Sequence, residues 1–152
     1  MECIVTKAKT FEEARKNIKC LREQFPKKEI GFASNDDELN RKILEKENIN
    51  FLVILQCGRK DRQKQRDSGF NQVLAKLAKK NNTKIGICLD EIVSSKGIDK
   101  AEILARIKQN IQLCAKNKLN MKFCGKTERN QHDLKALGLV LGMPTWMTSN
   151  LF

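Results

Sequence analysis

Aromatic residues, histidine and long apolar runs are scarce in this sequence. Aromatic side chains form 5% of the 152 residues, with no tyrosine, which disfavours a row of rings for stacking single-stranded bases. No segment reaches the roughly 18 consecutive apolar residues that span a membrane. The first residues, "MECIVTKAKTFEE", also lack the apolar core of a secretory signal. These absences predict a soluble protein of the cytoplasm.

Groups that hold cofactors or metals are equally sparse. His132 is the single histidine, which excludes a multi-histidine metal centre, and no Gly-rich phosphate loop of the Walker or dinucleotide type occurs. Six cysteines are spread along the chain without a Cys-X-X-Cys pair, at positions Cys3, Cys20, Cys57, Cys88, Cys114 and Cys124. Most lie in apolar runs, so we expect reduced, buried thiols. The sequence therefore predicts no bound cofactor, no metal and no catalytic residue.

The carboxylates leave one alternative open. Asp36 and Asp37 stand where a helix N-terminus favours acids, so capping accounts for them. Asp90 and Glu91 follow an apolar run that predicts a strand, and α/β enzymes place catalytic groups at the carboxyl ends of strands. If these two acids bound magnesium, the chain would be a metal-dependent phosphoesterase on a TIM-like barrel. We expect His132 to make a packing or capping contact instead of carrying protons.

Positive charge is the property that the sequence has in excess. Thirty Lys and Arg residues against eighteen Asp and Glu give a net charge of +12 and a pI near 9.6. A surplus of this size attracts nucleic acid or anionic membranes. It is also consistent with a merely solubilising surface, but its local concentration favours phosphate binding.

The densest basic segment is "GRKDRQKQRDSGFNQVLAKL", residues 58–77, which sets five cations against Asp61 and Asp67. The cations are Arg59, Lys60, Arg62, Lys64 and Arg66. The segment follows a predicted strand, and loops after the strands of an α/β sheet gather on the face that binds ligands. We therefore predict that this loop binds phosphate groups.

A second basic region, residues 96–129, contains nine basic and three acidic residues. An ordinary solvated helical face explains it equally well. Within this region, Arg106, Lys126 and Arg129 are best placed to share the carboxyl-end face of the sheet.

Short apolar runs alternate with segments of helical period about every thirty residues, a rhythm typical of β-α units around a parallel sheet. The predicted strands are residues 2–7, 29–34, 50–56, 83–89 and 121–125. Helices are predicted to begin after Thr10, at Asn35 or Asp36, after Gly69, near Ile98 and at Gln131. The tail "PTWMTSNLF" has three interpretations, a docking strand, a partner contact or a frayed end, and Trp146 favours a docked tail. We predict one α/β, barrel-like domain over residues 1–152.

Three segments resemble a known family, archaeal ribonuclease P protein component 3, which is the counterpart of the eukaryotic p30-type subunit. They are "RDSGFNQVLAKLAKKNNTKIGICLDEI", "ILARIKQNIQLCAKNKLNMKF" and "RNQHDLKALGLVLGM". The resemblance runs from about Asn40 to Met143. It implies a TIM-barrel-like fold, and because a full barrel takes about 250 residues, a reduced or incomplete barrel is expected here.

The resemblance also implies a function. The chain would be a subunit of an endoribonuclease that removes the 5′ leader of precursor tRNA, with the RNA subunit and its Mg²⁺ carrying out the hydrolysis. Its partners would be the ribonuclease P RNA, precursor tRNA, other ribonuclease P proteins and the small component 2, commonly in a heterotetramer. Matched basic positions are Arg66, Arg106, Lys116 and Arg129. Gly69 would turn the backbone into a helix, and Asn71 falls on a position that is often polar.

Overall fold

Five parallel strands form a single sheet in a computed structural model that describes residues 3–126 and 128–151. The strands are β1 (Cys3–Thr6), β2 (Glu29–Ser34), β3 (Phe51–Ile54), β4 (Lys84–Cys88) and β5 (Met121–Cys124). Neighbours in sequence are neighbours in the sheet, in the order β1-β2-β3-β4-β5. Each strand is therefore joined to the next by a crossover that contains a helix, as the β-α rhythm predicted.

Seven helices occur in the described part of the chain. They are α1 (Phe11–Gln24), α2 (Asp37–Lys46), α3 (Gln72–Lys80), α4 (Leu89–Ser94), α5 (Gly97–Lys116), α6 (Gln131–Val140) and α7 (Thr145–Thr148). Three of the predicted starts are confirmed by caps. The Thr10 hydroxyl accepts from the Glu13 N–H, and the Asp36 carboxylate caps α2. Asn71 accepts from the Leu74 N–H at 2.9 Å, so its polar side chain serves to start α3.

The main hydrophobic core lies between the sheet and the helices. Strand residues such as Phe32, Leu52 and Ile85 alternate towards it, and each amphipathic helix contributes one apolar face. A smaller cluster on the opposite face of the sheet includes Ala33, Phe51, Val53 and Cys124. Both faces of β3 are buried, as its continuous apolar sequence predicted.

The sheet curls strongly enough for side chains of distant strands to meet on its inner face. Lys122 on β5 donates to Glu29 on β2, although β3 and β4 lie between them. Lys84 on β4 donates to the other oxygen of the Glu29 carboxylate at 3.0 Å. The Phe51 ring occupies the space over Gly31, where a Cβ atom would lie 2.2 Å from it. The architecture is a curled half-barrel, which confirms the predicted reduced barrel.

Two segments differ from the sequence-based expectation. The fourth strand ends at Cys88 and the chain passes directly into α4, which the pattern did not predict because no turn residue separates the two elements. The tail is docked, but through Met147 and Leu151, which are buried, whereas Trp146 is 40% exposed. Of the three interpretations of the tail, a docked tail is confirmed, and the docked segment forms the short helix α7 instead of a strand.

The cysteines are all free, but burial is less general than expected. Cys114 and Cys124 are buried, Cys20 and Cys57 are exposed, and the others are intermediate. Burial raises the pKa of the Cys124 thiol to about 12, which keeps it protonated. No helix among the described residues is long and apolar enough to cross a membrane.

Candidate nucleic-acid interface

The segment between β3 and α3, residues 55–71, is anchored at its base by Gln56. This side chain is buried, and its amide nitrogen donates to the Ile54 carbonyl at 3.1 Å and the Ser68 carbonyl at 2.9 Å. Ile54 is the last residue of β3, and Ser68 lies near the end of the segment. One amide group therefore fixes the width of the loop where it leaves the sheet. We call residues 58–66 of this segment the basic loop.

Arg59 points back into the protein. Its side chain is 8% exposed and pairs with Asp37 at the start of α2 at 2.8 Å, while its Nε donates to the Leu55 carbonyl at 2.6 Å. The guanidinium passes over Gly69, where a Cβ atom would lie 2.5 Å from a guanidinium nitrogen. Gly69 also has a φ of +71°, so both close approach and backbone conformation require glycine there.

Arg106 on α5 supports the loop from below and is 2% exposed. Its Nε donates to Asp61 at 2.9 Å, and a second nitrogen donates to the Arg59 carbonyl at 3.0 Å. Asp61 also accepts from the Asp67 N–H. The hydrogen bond from Arg106, and then that from Asp67, lower the pKa of the Asp61 carboxyl below its ordinary value.

The remaining four cations of the basic loop are exposed at the surface. They are Lys60, Arg62, Lys64 and Arg66. Of these, Arg62 has a carboxylate partner, Asp67 at 3.4 Å, and it is 77% exposed. Among the described residues, no carboxylate oxygen lies within 4.0 Å of the side-chain nitrogens of Lys60, Lys64 or Arg66. Exposed, unneutralised cations are the groups that release counterions when they meet phosphate.

A tight turn presents the tip of the loop. The Arg62 N–H donates to the Gln65 carbonyl at 2.9 Å, and the Gln65 N–H donates to the Arg62 carbonyl at 3.3 Å. Gln63 and Lys64 lie between them and project into solvent. The loop is thus a braced structure with four of its five cations outside, instead of a disordered charge run.

Two cavities flank Arg66, and both are also lined by Gln109 of α5. The first, of about 600 Å³, lies between α2, the basic loop and α3 and includes Arg41 and Arg62. The second, of about 750 Å³, runs along α5 and includes Lys108 and Gln112. Sequence patterns had singled out neither Arg41 nor Lys108, because each is an ordinary exposed position on an amphipathic helix.

Two archaeal proteins that share one name are similar to this chain in sequence. Ribonuclease P protein component 3 of Methanosarcina acetivorans is 43% identical over 51 residues, which cover 34% of this chain and 21% of that protein. The protein of the same name from Methanococcus vannielii is 30% identical over 87 residues, which cover 57% of this chain and 35% of that protein. The chain is similar in sequence to archaeal component 3.

One solved structure contains a chain whose fold is similar to that of this protein. A chain in a cryo-EM structure of archaeal ribonuclease P with mature tRNA matches with a TM-score of 0.79 and 23% identity, covering 95% of this chain and 62% of that one. No family model matches. The chain spans about a fifth to a third of the length of the two curated component 3 proteins that it matches.

The basic residues that were predicted from the resemblance to component 3, or from their position after a strand, do not all lie in one place. Arg66 lies between the two cavities, but Arg106 lies beneath the loop with its guanidinium enclosed. Arg129 lines a separate cavity of about 200 Å³ beside Asp90 of α4. Lys116 is exposed in the last turn of α5, which leads to the amino end of β5. Lys126 is exposed after β5, and its N–H donates to Asp90.

The acids considered for a phosphoesterase hold the backbone. The Glu91 carboxylate accepts from the N–H groups of Gln56 and Cys57 at 2.9 Å each, and Asp90 accepts from that of Lys126. The described residues contain no group of three or more His, Cys, Asp or Glu side chains that could hold a metal ion. His132 is exposed, and its N–H donates to Asn130, the cap of α6. The phosphoesterase alternative gains no support from this arrangement.

Proposed function

We propose that this chain is a protein subunit of ribonuclease P that binds and orders the catalytic RNA for removal of the 5′ leader of precursor tRNA. The observation that carries the proposal is the braced basic loop, with four cations outside and two arginines holding it from inside. The similarity in sequence to archaeal component 3 supports ribonuclease P as the complex to which the chain would belong.

The mechanism is electrostatic. The exposed cations of the basic loop would displace counterions from folded RNA and lower the repulsion between its phosphates. Recognition would be by backbone and shape, because the deep groove of an RNA helix hides its base edges from side chains. Lys116, Lys126 and Arg129 line neither of the two cavities beside Arg66 and would contact other parts of the RNA.

The chemistry would belong to the RNA. In this proposal the protein binds no cofactor, and Mg²⁺ acts at the RNA subunit, where it would neutralise phosphate charge as it does in other phosphoryl-transfer sites. The protein partners would be other ribonuclease P proteins, including the small component 2 in a heterotetramer. The place of action would be the cytoplasm.

Reconstituted cleavage tests the proposal. Precursor tRNA would be cleaved by an archaeal ribonuclease P RNA with the other protein subunits, at low Mg²⁺, with and without this chain. We expect the chain to raise the cleavage rate most at low Mg²⁺, because protein cations then replace metal ions in charge neutralisation. A rate that is the same with and without the chain at every Mg²⁺ concentration would contradict the proposal.

A further inference from the structure

The outer face of α5 carries a groove that extends the surface of the basic loop. Its residues recur at spacings of three and four, which places them on one side of the helix. They are Ala101, Leu104, Ala105, Lys108, Gln109 and Gln112, and Arg66 of the basic loop also lines the groove. The cavity has a volume of about 750 Å³. We call it the α5 groove.

The lining of the α5 groove is positive and amide-rich. Arg66 and Lys108 supply two cations, and neither has a carboxylate oxygen within 4.0 Å among the described residues. No carboxylate lines the groove in the described part of the chain. The neighbouring cavity, in contrast, contains the carboxylates of Asp37, Glu38 and Asp67. An anion therefore meets less repulsion in the α5 groove than on the other side of Arg66.

The other groups in the groove match a sugar. An amide side chain both donates and accepts hydrogen bonds, as does the 2′-hydroxyl of a ribose. Gln109 is held near Arg66 because its amide nitrogen approaches the Arg66 carbonyl at 3.5 Å, and Gln112 is exposed one turn further on. The apolar lining residues, Ala101, Leu104 and Ala105, are aliphatic, so the described lining offers no ring on which a base could stack.

We propose that the α5 groove binds one strand of an RNA backbone, with phosphates on Arg66 and Lys108 and ribose 2′-hydroxyls on Gln109 and Gln112. The inference rests on the proposed function and deepens it, because it gives the surface a means of distinguishing RNA from DNA. Cations alone would bind both polymers.

Two variants of the whole chain test the groove against a short RNA duplex and the DNA duplex of the same sequence. Gln109→Ala with Gln112→Ala is expected to weaken RNA binding about three- to tenfold per lost hydrogen bond and to leave DNA binding unchanged. Lys108→Gln is expected to lower the slope of log affinity against log salt by about one for both duplexes. The matched controls on α1, Gln24→Ala and Lys16→Gln, are exposed and remote from the groove and should change nothing.

The outcomes separate the groove from the proposed function. Equal effects of the double amide variant on RNA and DNA, or no effect, would overturn the ribose contacts, and an unchanged salt slope for Lys108→Gln would overturn the phosphate contact. In both cases, RNA binding that still depends on the basic loop would leave the proposed function standing. A wild-type chain that binds no RNA would overturn the function and the groove together.

Discussion

Arg59 of the basic loop and Arg106 of α5 lie in the interior. Arg62 and Arg66 of the basic loop lie at the surface. The buried pair hydrogen-bonds to backbone carbonyls and carboxylates, which compensates for the loss of water around the two charges. The exposed pair keeps most of its donors available to a ligand. Burial thus separates Arg59 and Arg106, which support the basic loop, from Arg62 and Arg66, which the loop displays.

The support from Arg106 is measurable by substitution. Arg106→Met should lower the free energy of unfolding by about 2 kcal/mol, because buried backbone carbonyls lose a charged donor. The measurement is urea unfolding at neutral pH. Arg15→Met is the matched control, since Arg15 is 70% exposed and pairs with Glu47, and it should stay within about 0.5 kcal/mol of the wild type. Similar small losses in both variants would show that Arg106 does not brace the loop.

The pKa of Glu29 gives the half-barrel a pH dependence. Burial raises this pKa, but the hydrogen bonds from Lys122 and Lys84 together outweigh burial, so the pKa lies below its ordinary value of 4.5. A lowered folded-state pKa stabilises the protein above the unfolded-state pKa, and this stabilisation is lost as the pH falls through the folded value.

Glu29→Gln should therefore be less stable than the wild type at pH 7, and the difference should shrink as the pH falls below about 4. Unfolding by urea at several pH values measures the difference. A gap between the two proteins that stays constant down to the acid limit would exclude a stabilising, ionised Glu29.

At the scale of elements, β3, the basic loop, α3 and α5 form the candidate interface together. The segment 55–71 begins at the end of β3 and is held in place by Gln56 and Arg59. It passes through Gly69 and ends at Asn71, which caps α3. α5 supplies both the support beneath the loop and the groove beside it. The position of each displayed cation therefore depends on contacts between elements that are far apart in sequence.

Gly69 tests this dependence because two requirements meet there. Gly69→Ala should destabilise the protein by about 1–2 kcal/mol, since alanine is strained at a φ of +71° and its Cβ would meet the Arg59 guanidinium. Gly58→Ala is the control, because Gly58 has a similar φ of +75° but open space around it. Thermal unfolding of both variants isolates the contact with Arg59. A Gly69→Ala protein no less stable than Gly58→Ala would refute that contact.

The elements themselves could be predicted from local sequence, but the orientation of their arginines could not. Strands and helices follow from apolar periodicity and caps, as at Thr10 and Asp36. The apolar residues of α5 recur at Leu104, Ile107 and Ile111, and this period predicts that Arg106 and Asn110 face outward. Both are buried instead. The basic loop folds over that part of the helix, and a tertiary contact of this kind leaves no period in the sequence.

On the scale of the whole molecule, a half-barrel holds the surplus of positive charge in several regions. The basic loop and the α5 groove lie together, Arg129 lines a cavity beside α4, and Lys116 lies towards the amino end of the sheet. The net charge of +12 will attract polyanions from any direction. The proposed function requires more than this, namely that the displayed loop makes contacts that other surface cations do not make.

The salt dependence of RNA affinity measures this directly. Binding of ribonuclease P RNA would be compared for the wild type, for a loop variant with Lys60, Arg62, Lys64 and Arg66 changed to Gln, and for a control variant with Lys16, Lys19, Lys27 and Lys42 changed to Gln. The control residues are exposed and lie outside the loop. Both variants lose the same charge, so only the location of the cations differs.

The slope of log affinity against log salt is negative, and its magnitude rises by about 0.9 for each phosphate that the protein neutralises. We predict that the loop variant has a shallower slope, by about 0.9 for each phosphate contact removed, while the control keeps the wild-type slope. Equal slopes for the two variants would mean that net charge, and not the braced loop, attracts the RNA, and would contradict the proposed mode of binding.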